Sequence, residues 1–141
     1  MKRKGSAEWN GDLRTGKGTI STESGALDKL PYGFNTRFGD VKGTNPEELV
    51  GAAHASCFSM ALSSELGKAG IVDAKIATTA TVELKQVDGA FAITASHLDV
   101  SVEAKGADRA VLETAAATAK ANCPVSKLLK AEVTMTATYA V

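Results

Sequence analysis

GTNPEELVGAAHASCFSMALSSELGKAG, residues 43 to 70, is the stretch whose reading decides the fold. Asn45 is a good helix N-cap, Pro46 suits the first helical position, where its missing N–H costs nothing, and Glu48 sits where a capping-box acid belongs. Glu47 and Glu48 complement the positive end of the helix dipole, and Gly67 and Gly70 offer exits at the far end. Between Glu48 and Glu65 there is no Asp, Glu, Lys or Arg. Cys57 shares a face with Val50, Ala53, His54, Met60 and Ala61, with Ala55, Leu62 and Leu66 roughly opposite. A helix apolar nearly all round is predicted to be sandwiched, and its one central thiol makes it a candidate chemical site as well as a structural axle.

Upstream of this helix, GSAEWNG and TGKGTISTESG are two strand-like runs separated by a Gly-rich, Asn-Gly turn region, which predicts an amino-terminal hairpin. Residues 25 to 45 follow, broken by Pro31, Gly33, Gly39 and Gly43, and read as a long loop. Tyr32, Phe34 and Phe38 argue that this loop is ordered and packed over something apolar, with Arg37 set among the aromatics. Downstream, residues 74 to 87 alternate as a strand, Asp88-Gly89 signals a tight hairpin, and FAITASHLDVSVEAK returns. The apolar phase slips by one residue between Ile93 and Leu98, which predicts a bulge near Ser96 and His97. DRAVLETAAATAKA predicts a second helix capped by Asp108 and stopped at Cys123-Pro124. Strict alternation of Val133, Met135, Ala137, Tyr139 and Val141 closes the chain with a strand. The pattern is α+β, in one domain over residues 1–141.

Composition narrows the function. Lys plus Arg and Asp plus Glu both number 16, and no basic run stands out, so neither nucleic acid nor an anionic membrane is expected as a partner. MKRKG leads straight into polar sequence rather than into a signal-peptide core, and the uncharged helix run is too short and too rich in Ser and His to span a bilayer. The expected location is cytoplasmic, where two cysteines far apart in sequence favour a transient catalytic or sensing pair over a permanent staple.

Cys57 can be read as a small buried hydrophobe or as a nucleophile. Cys123, at a helix end before a proline, is expected to be exposed, and a second thiol within reach of the first is the minimal kit for peroxide reduction. Such chemistry needs a thiolate, and Arg37 is the cation at hand, with Glu47 placed to orient it. Glu47 precedes Cys57 by ten helical residues, about 15 Å of rise, so a group held by Glu47 reaches the thiol only from a second subunit. Zinc held by Cys57, His54, Cys123 and His97 is a weaker alternative, because no CxxC or HxxxH spacing supports it.

TNPEELVGAAHASCFSMAL, CPVSKLL and PYGFNTRF closely resemble the OsmC branch of the OsmC and organic hydroperoxide resistance family, and the likeness covers essentially the whole chain. The resemblance implies an intertwined homodimer, with a long central helix packed against antiparallel sheet and two sites at the subunit interface. Cys57 would be the peroxidatic and Cys123 the resolving cysteine, Arg37 the cation on the thiolate and Glu47 its carboxylate partner, with Arg14 the competing arginine. It implies organic hydroperoxides as substrates, a small dithiol such as a lipoyl group or lipoylated protein as reductant, a role in oxidative or osmotic stress, and no bound metal, nucleotide or other cofactor. The other reading is a dimeric hydrophobic-ligand-binding module with redox-sensing thiols.

Overall fold

A computed structural model describes residues 1–141, which form two compact units, Met1–Leu49 and Val50–Val141. In the first, strands β1 (Gly5–Asn10), β2 (Lys17–Thr22) and β3 (Leu30–Gly33) make an antiparallel sheet in that order. The predicted hairpin is β1–β2. Its turn is held by the Asp12 carboxylate, which accepts the Arg14 and Thr15 N–H groups at 2.8 and 2.9 Å. Gly18 lies under the Tyr32 ring so closely that any Cβ there would collide with it. Its absence lets Tyr32 lie across β2 and meet Trp9, with ring centroids 5.3 Å apart.

The segment expected to be one long loop contains β3 and a short helix, α1 (Phe34–Phe38). Pro31 conceals the strand in the sequence, yet it is tolerated because β3 is an edge strand and needs no donor on its free side. Thr36 starts α1 by accepting the Gly33 N–H at 2.9 Å and donating back to the Gly33 carbonyl at 3.0 Å.

Helix α2 (Pro46–Lys68) begins as predicted: Asn45 Oδ1 accepts the Glu48 N–H at 2.9 Å, and Asn45 Nδ2 donates to the Thr36 carbonyl. Its end turns on Gly70, at φ +80°, with the Ile71 N–H on the Leu66 carbonyl. Within the single chain the helix is not sandwiched. Gly51, His54, Phe58, Leu62 and Leu66 form one buried stripe, whereas Ala52, Ala53, Ser56 and Met60 are exposed. At Gly51 the helix approaches the sheet closely: a Cβ there would sit 3.0 Å from the Ala80 carbonyl.

In the second unit β4 (Lys75–Val87) and β5 (Ala90–Glu103) form the expected hairpin, with Asp88 and Gly89 both at positive φ as a type I′ turn requires. The bulge is at Thr94, because Glu83 pairs with Ala95 and Leu84 with Ile93. It lies just before the predicted Ser96 and His97. Helix α3 (Arg109–Asn122) is capped by Asp108, and α4 (Pro124–Leu128) follows with Cys123 at the junction. Strand β6 (Glu132–Ala140) pairs with β5 in parallel, which corrects the all-antiparallel sheet expected above. The long crossover through α3 and α4 makes parallel pairing possible, as a tight turn could not.

The core lies between the buried stripe of α2, the inner face of β5 and the Leu112, Ala115, Ala116 and Ala119 face of α3. Every fully buried apolar side chain belongs to the second unit. The first unit leaves Trp9, Leu13, Leu30 and Phe38 exposed.

Candidate active site

Two groups of candidate residues emerge, one in each unit. In the second unit, Cys57, one turn beyond His54 on α2, packs against the core that contains Cys123, at the α3–α4 junction; both are free thiols, and each acts on the acidity of the other. Cys123 is fully buried, contrary to the exposed thiol expected at a helix end, while Cys57 keeps partial access. The reason is local. Pro124 takes the first position of α4, and the N–H groups that follow, of Val125 and Ser126, favour the Cys123 thiolate, so the start of α4 serves this sulfur in place of solvent.

These contacts set the acidity of the pair. Burial pushes the Cys57 thiol up; the Val125 N–H acts against this, and the neighbouring Cys123 adds to it. For Cys123 burial also acts upward, but the Ser126 N–H, Cys57, the Ser126 hydroxyl and the Val125 N–H together outweigh it and draw the thiol down. Within this unit, then, no cation lowers the pKa of Cys57; donors at the start of α4 serve the pair instead.

On the same helix as Cys57 lies a residue that the sequence offered only as a weaker zinc candidate. His54 is completely buried, with Nδ1 2.8 Å from Ser96 Oγ on β5 and Nε2 2.8 Å from Ser126 Oγ on α4. Burial alone pushes its pKa below the ordinary 6.5, which keeps it neutral at pH 7. Nothing in the sequence marks Ser96, named above only for the bulge, or Ser126 as part of a site, because a lone serine carries no periodic signal. Ser126, three residues past Cys123 in CPVS, could have been suspected from the proline that starts the turn. His97 sits apart from this group, bonded to Thr134 and Thr136 of β6, and no cluster of three or more His, Cys, Asp or Glu side chains is placed to hold a metal.

In the first unit, Arg37 and Glu47 form the predicted pair. The guanidinium lies against the carboxylate, Nη2 to Oε1 at 2.7 Å and Nε to both oxygens at 3.2 Å, and its Cζ stands 5.2 Å from the centre of the Phe38 ring. Arg14 stacks instead over Phe34, at 5.6 Å. An apolar pocket of about 290 Å³ opens beside Arg37, lined by Trp9, Leu13, Tyr32, Phe34 and Phe38.

An α+β chain carrying two free thiols in one core and a carboxylate-held arginine belongs to the class of cysteine-based redox proteins. The pattern of the OsmC-like protein family matches residues 39–138, and this chain belongs to that family. It is 57% identical over 135 residues to peroxiredoxin OsmC of Escherichia coli (strain K12), across 96% of this chain and 94% of that protein. Among solved structures, the organic hydroperoxide resistance protein OhrB of Bacillus subtilis superposes with a TM-score of 0.65 at 23% identity, covering 96% of this chain and 97% of that one. An organic hydroperoxide resistance protein of Elizabethkingia anophelis gives 0.72 at 20% identity, covering 99% and 97%. These two share the fold.

Proposed function

We propose that this chain is a cysteine-based peroxidase that reduces organic hydroperoxides, and that Cys57 and Cys123 carry the electrons. The observation that carries the reading is the placement of two free thiols of one chain in one core, where each acts on the acidity of the other, one partly open and one buried. The Cys57 thiolate attacks the terminal peroxide oxygen of ROOH, the O–O bond breaks, and ROH leaves Cys57 as a sulfenic acid. Cys123 then attacks that sulfur, water leaves, and the disulfide is reduced by a dithiol, for which a lipoyl group is the candidate. The aromatic pocket beside Arg37 suits the alkyl part of such a substrate better than hydrogen peroxide. Arg37, held by Glu47, supplies the cation that the thiol pair lacks in its own unit. The enzyme works in the cytoplasm against oxidative or osmotic stress, and no helix is long and apolar enough to cross a membrane.

Turnover tests the reading. With tert-butyl hydroperoxide and dihydrolipoamide in excess, the protein should consume many equivalents of peroxide. Consumption that stops at one equivalent would instead mark a redox sensor.

The active species in this proposal is a homodimer. The first unit buries no apolar side chain, and the second leaves one face of α2 exposed, with Met60 75% accessible. Surface of this kind calls for a partner, and a second copy whose α2 packs antiparallel would cover the helix while bringing one chain's Arg37 towards the other's Cys57. Sedimentation at micromolar concentration should show dimer. A stable, fully active monomer would rule this assembly out.

A further inference from the structure

Cys123 has no access to bulk water, so its proton must leave through the protein when it attacks Cys57. Ser126 follows the α4 cap residue Cys123 by three positions; its hydroxyl favours the Cys123 thiolate and lies 2.8 Å from His54 Nε2. Ser96 Oγ holds Nδ1 at 2.8 Å, which lets the Nδ1 proton stay there and leaves Nε2 as an acceptor. We propose that Ser126 and His54 form a proton relay for disulfide closure: the Cys123 proton passes to the Ser126 oxygen as the Ser126 proton passes to His54 Nε2. His54 acts through Ser126 and is a positioning residue; Ser126 is the group that takes the proton from the reacting sulfur.

The step balances. Cys123 sulfur forms the S–S bond as the S–O bond of the Cys57 sulfenic acid breaks. One proton turns the leaving hydroxide into water, and His54 releases the proton it took, so the net change is one thiol and one sulfenic acid to one disulfide and one water. A base is available because burial keeps His54 neutral, and no charged side chain acts on it; the titratable groups on this hydrogen-bonded chain are the two thiols. In the catalytic cycle the relay rests on the peroxidase reading, but the closure step can be tested without peroxide.

Ellman's reagent supplies that test on the full chain. It forms a mixed disulfide at the accessible Cys57 with release of one thionitrobenzoate, and attack by Cys123 then releases a second. At pH 7 the rate ratio of second to first release should fall at least ten-fold in His54→Gln and in Ser126→Ala, and the double variant should be no slower than either. Near pH 10, where thiols are ionised at equilibrium before the reagent is added and no proton has to leave Cys123 during closure, the deficit should largely vanish. A ratio within two-fold of the parent in Ser126→Ala, the milder variant, overturns the relay, as does a deficit that persists unchanged at pH 10, which would mark a packing role. Failure of peroxide turnover with this result intact would sink the peroxidase reading alone.

Discussion

A Cys57→Ser chain is expected to lose peroxide reduction by at least ~10³-fold, a barrier increase of about 4 kcal/mol, while Cys123→Ser still consumes one equivalent of peroxide and stops. The asymmetry follows from placement. Cys57 is the thiol with access, so it meets the peroxide; Cys123 is enclosed by α3, α4 and the core, so it meets only Cys57. A serine hydroxyl at position 57 has neither the acidity nor the polarisable electron pair needed to split an O–O bond. With Cys123 gone, oxidised Cys57 has no partner, persists as a sulfenic acid and climbs to the sulfinic level with further peroxide. The measurement is stopped-flow consumption of one equivalent of hydroperoxide, followed by dimedone trapping and mass analysis of the intact protein. Equal loss of the first reaction in both variants would break the assignment of roles. Either serine should leave the fold intact, because neither thiol is tied into a disulfide in this form of the protein.

The sequence makes some features of this chain easy to read and hides others for physical reasons. The start of α2 is legible because capping is a local contract: Asn45, Pro46 and Glu48 specify it within four residues, and the Asn45 to Glu48 bond appears as expected. The Asp88-Gly89 hairpin is legible for the same reason, since few residue pairs tolerate two positive φ values in a row. Strand direction is another matter. The alternation in β6 reports which face is buried and carries no sign, so its parallel pairing with β5 could not be read from Val133 to Val141. Strand β3 and helix α1 are stabilised by Thr36 and by pairing with β2, whereas Pro31 and Gly33 read locally as loop. At the site, thiols and an arginine announce themselves by chemistry. The hydroxyls of Ser96 and Ser126 gain meaning only when β5 and α4 bring them to the two nitrogens of His54.

Arg37→Ala is expected to slow peroxide attack about ten-fold or more with little effect on folding. The Arg37–Glu47 pair is a third exposed on the arginine side, and pairs of this kind contribute only ~0–1 kcal/mol to stability. Its effect on chemistry is larger. A cation within ~4–6 Å shifts a thiol pKa by ~1–3 units, each worth about 1.36 kcal/mol between protonation states. Losing ~2 units of that shift cuts the thiolate fraction at neutral pH by up to ~100-fold, while the more basic thiolate regains about ten-fold in nucleophilicity, so about ten-fold remains lost. Burial already pushes Cys57 up, so nothing on its own helix replaces the missing charge. Arg37→Lys should restore only part of the rate, because an ammonium cannot hold the Glu47 carboxylate through Nε and Nη2 at once and still face sulfur. Glu47→Gln should do milder harm by loosening the guanidinium. The measurement is the pH profile of Cys57 alkylation in a Cys123→Ser background, where a single thiol titrates, taken beside the peroxide rate. If Arg37→Ala leaves both unchanged, the activating cation is elsewhere, and Arg14, stacked over Phe34 at the same aromatic cluster, is the side chain to replace next.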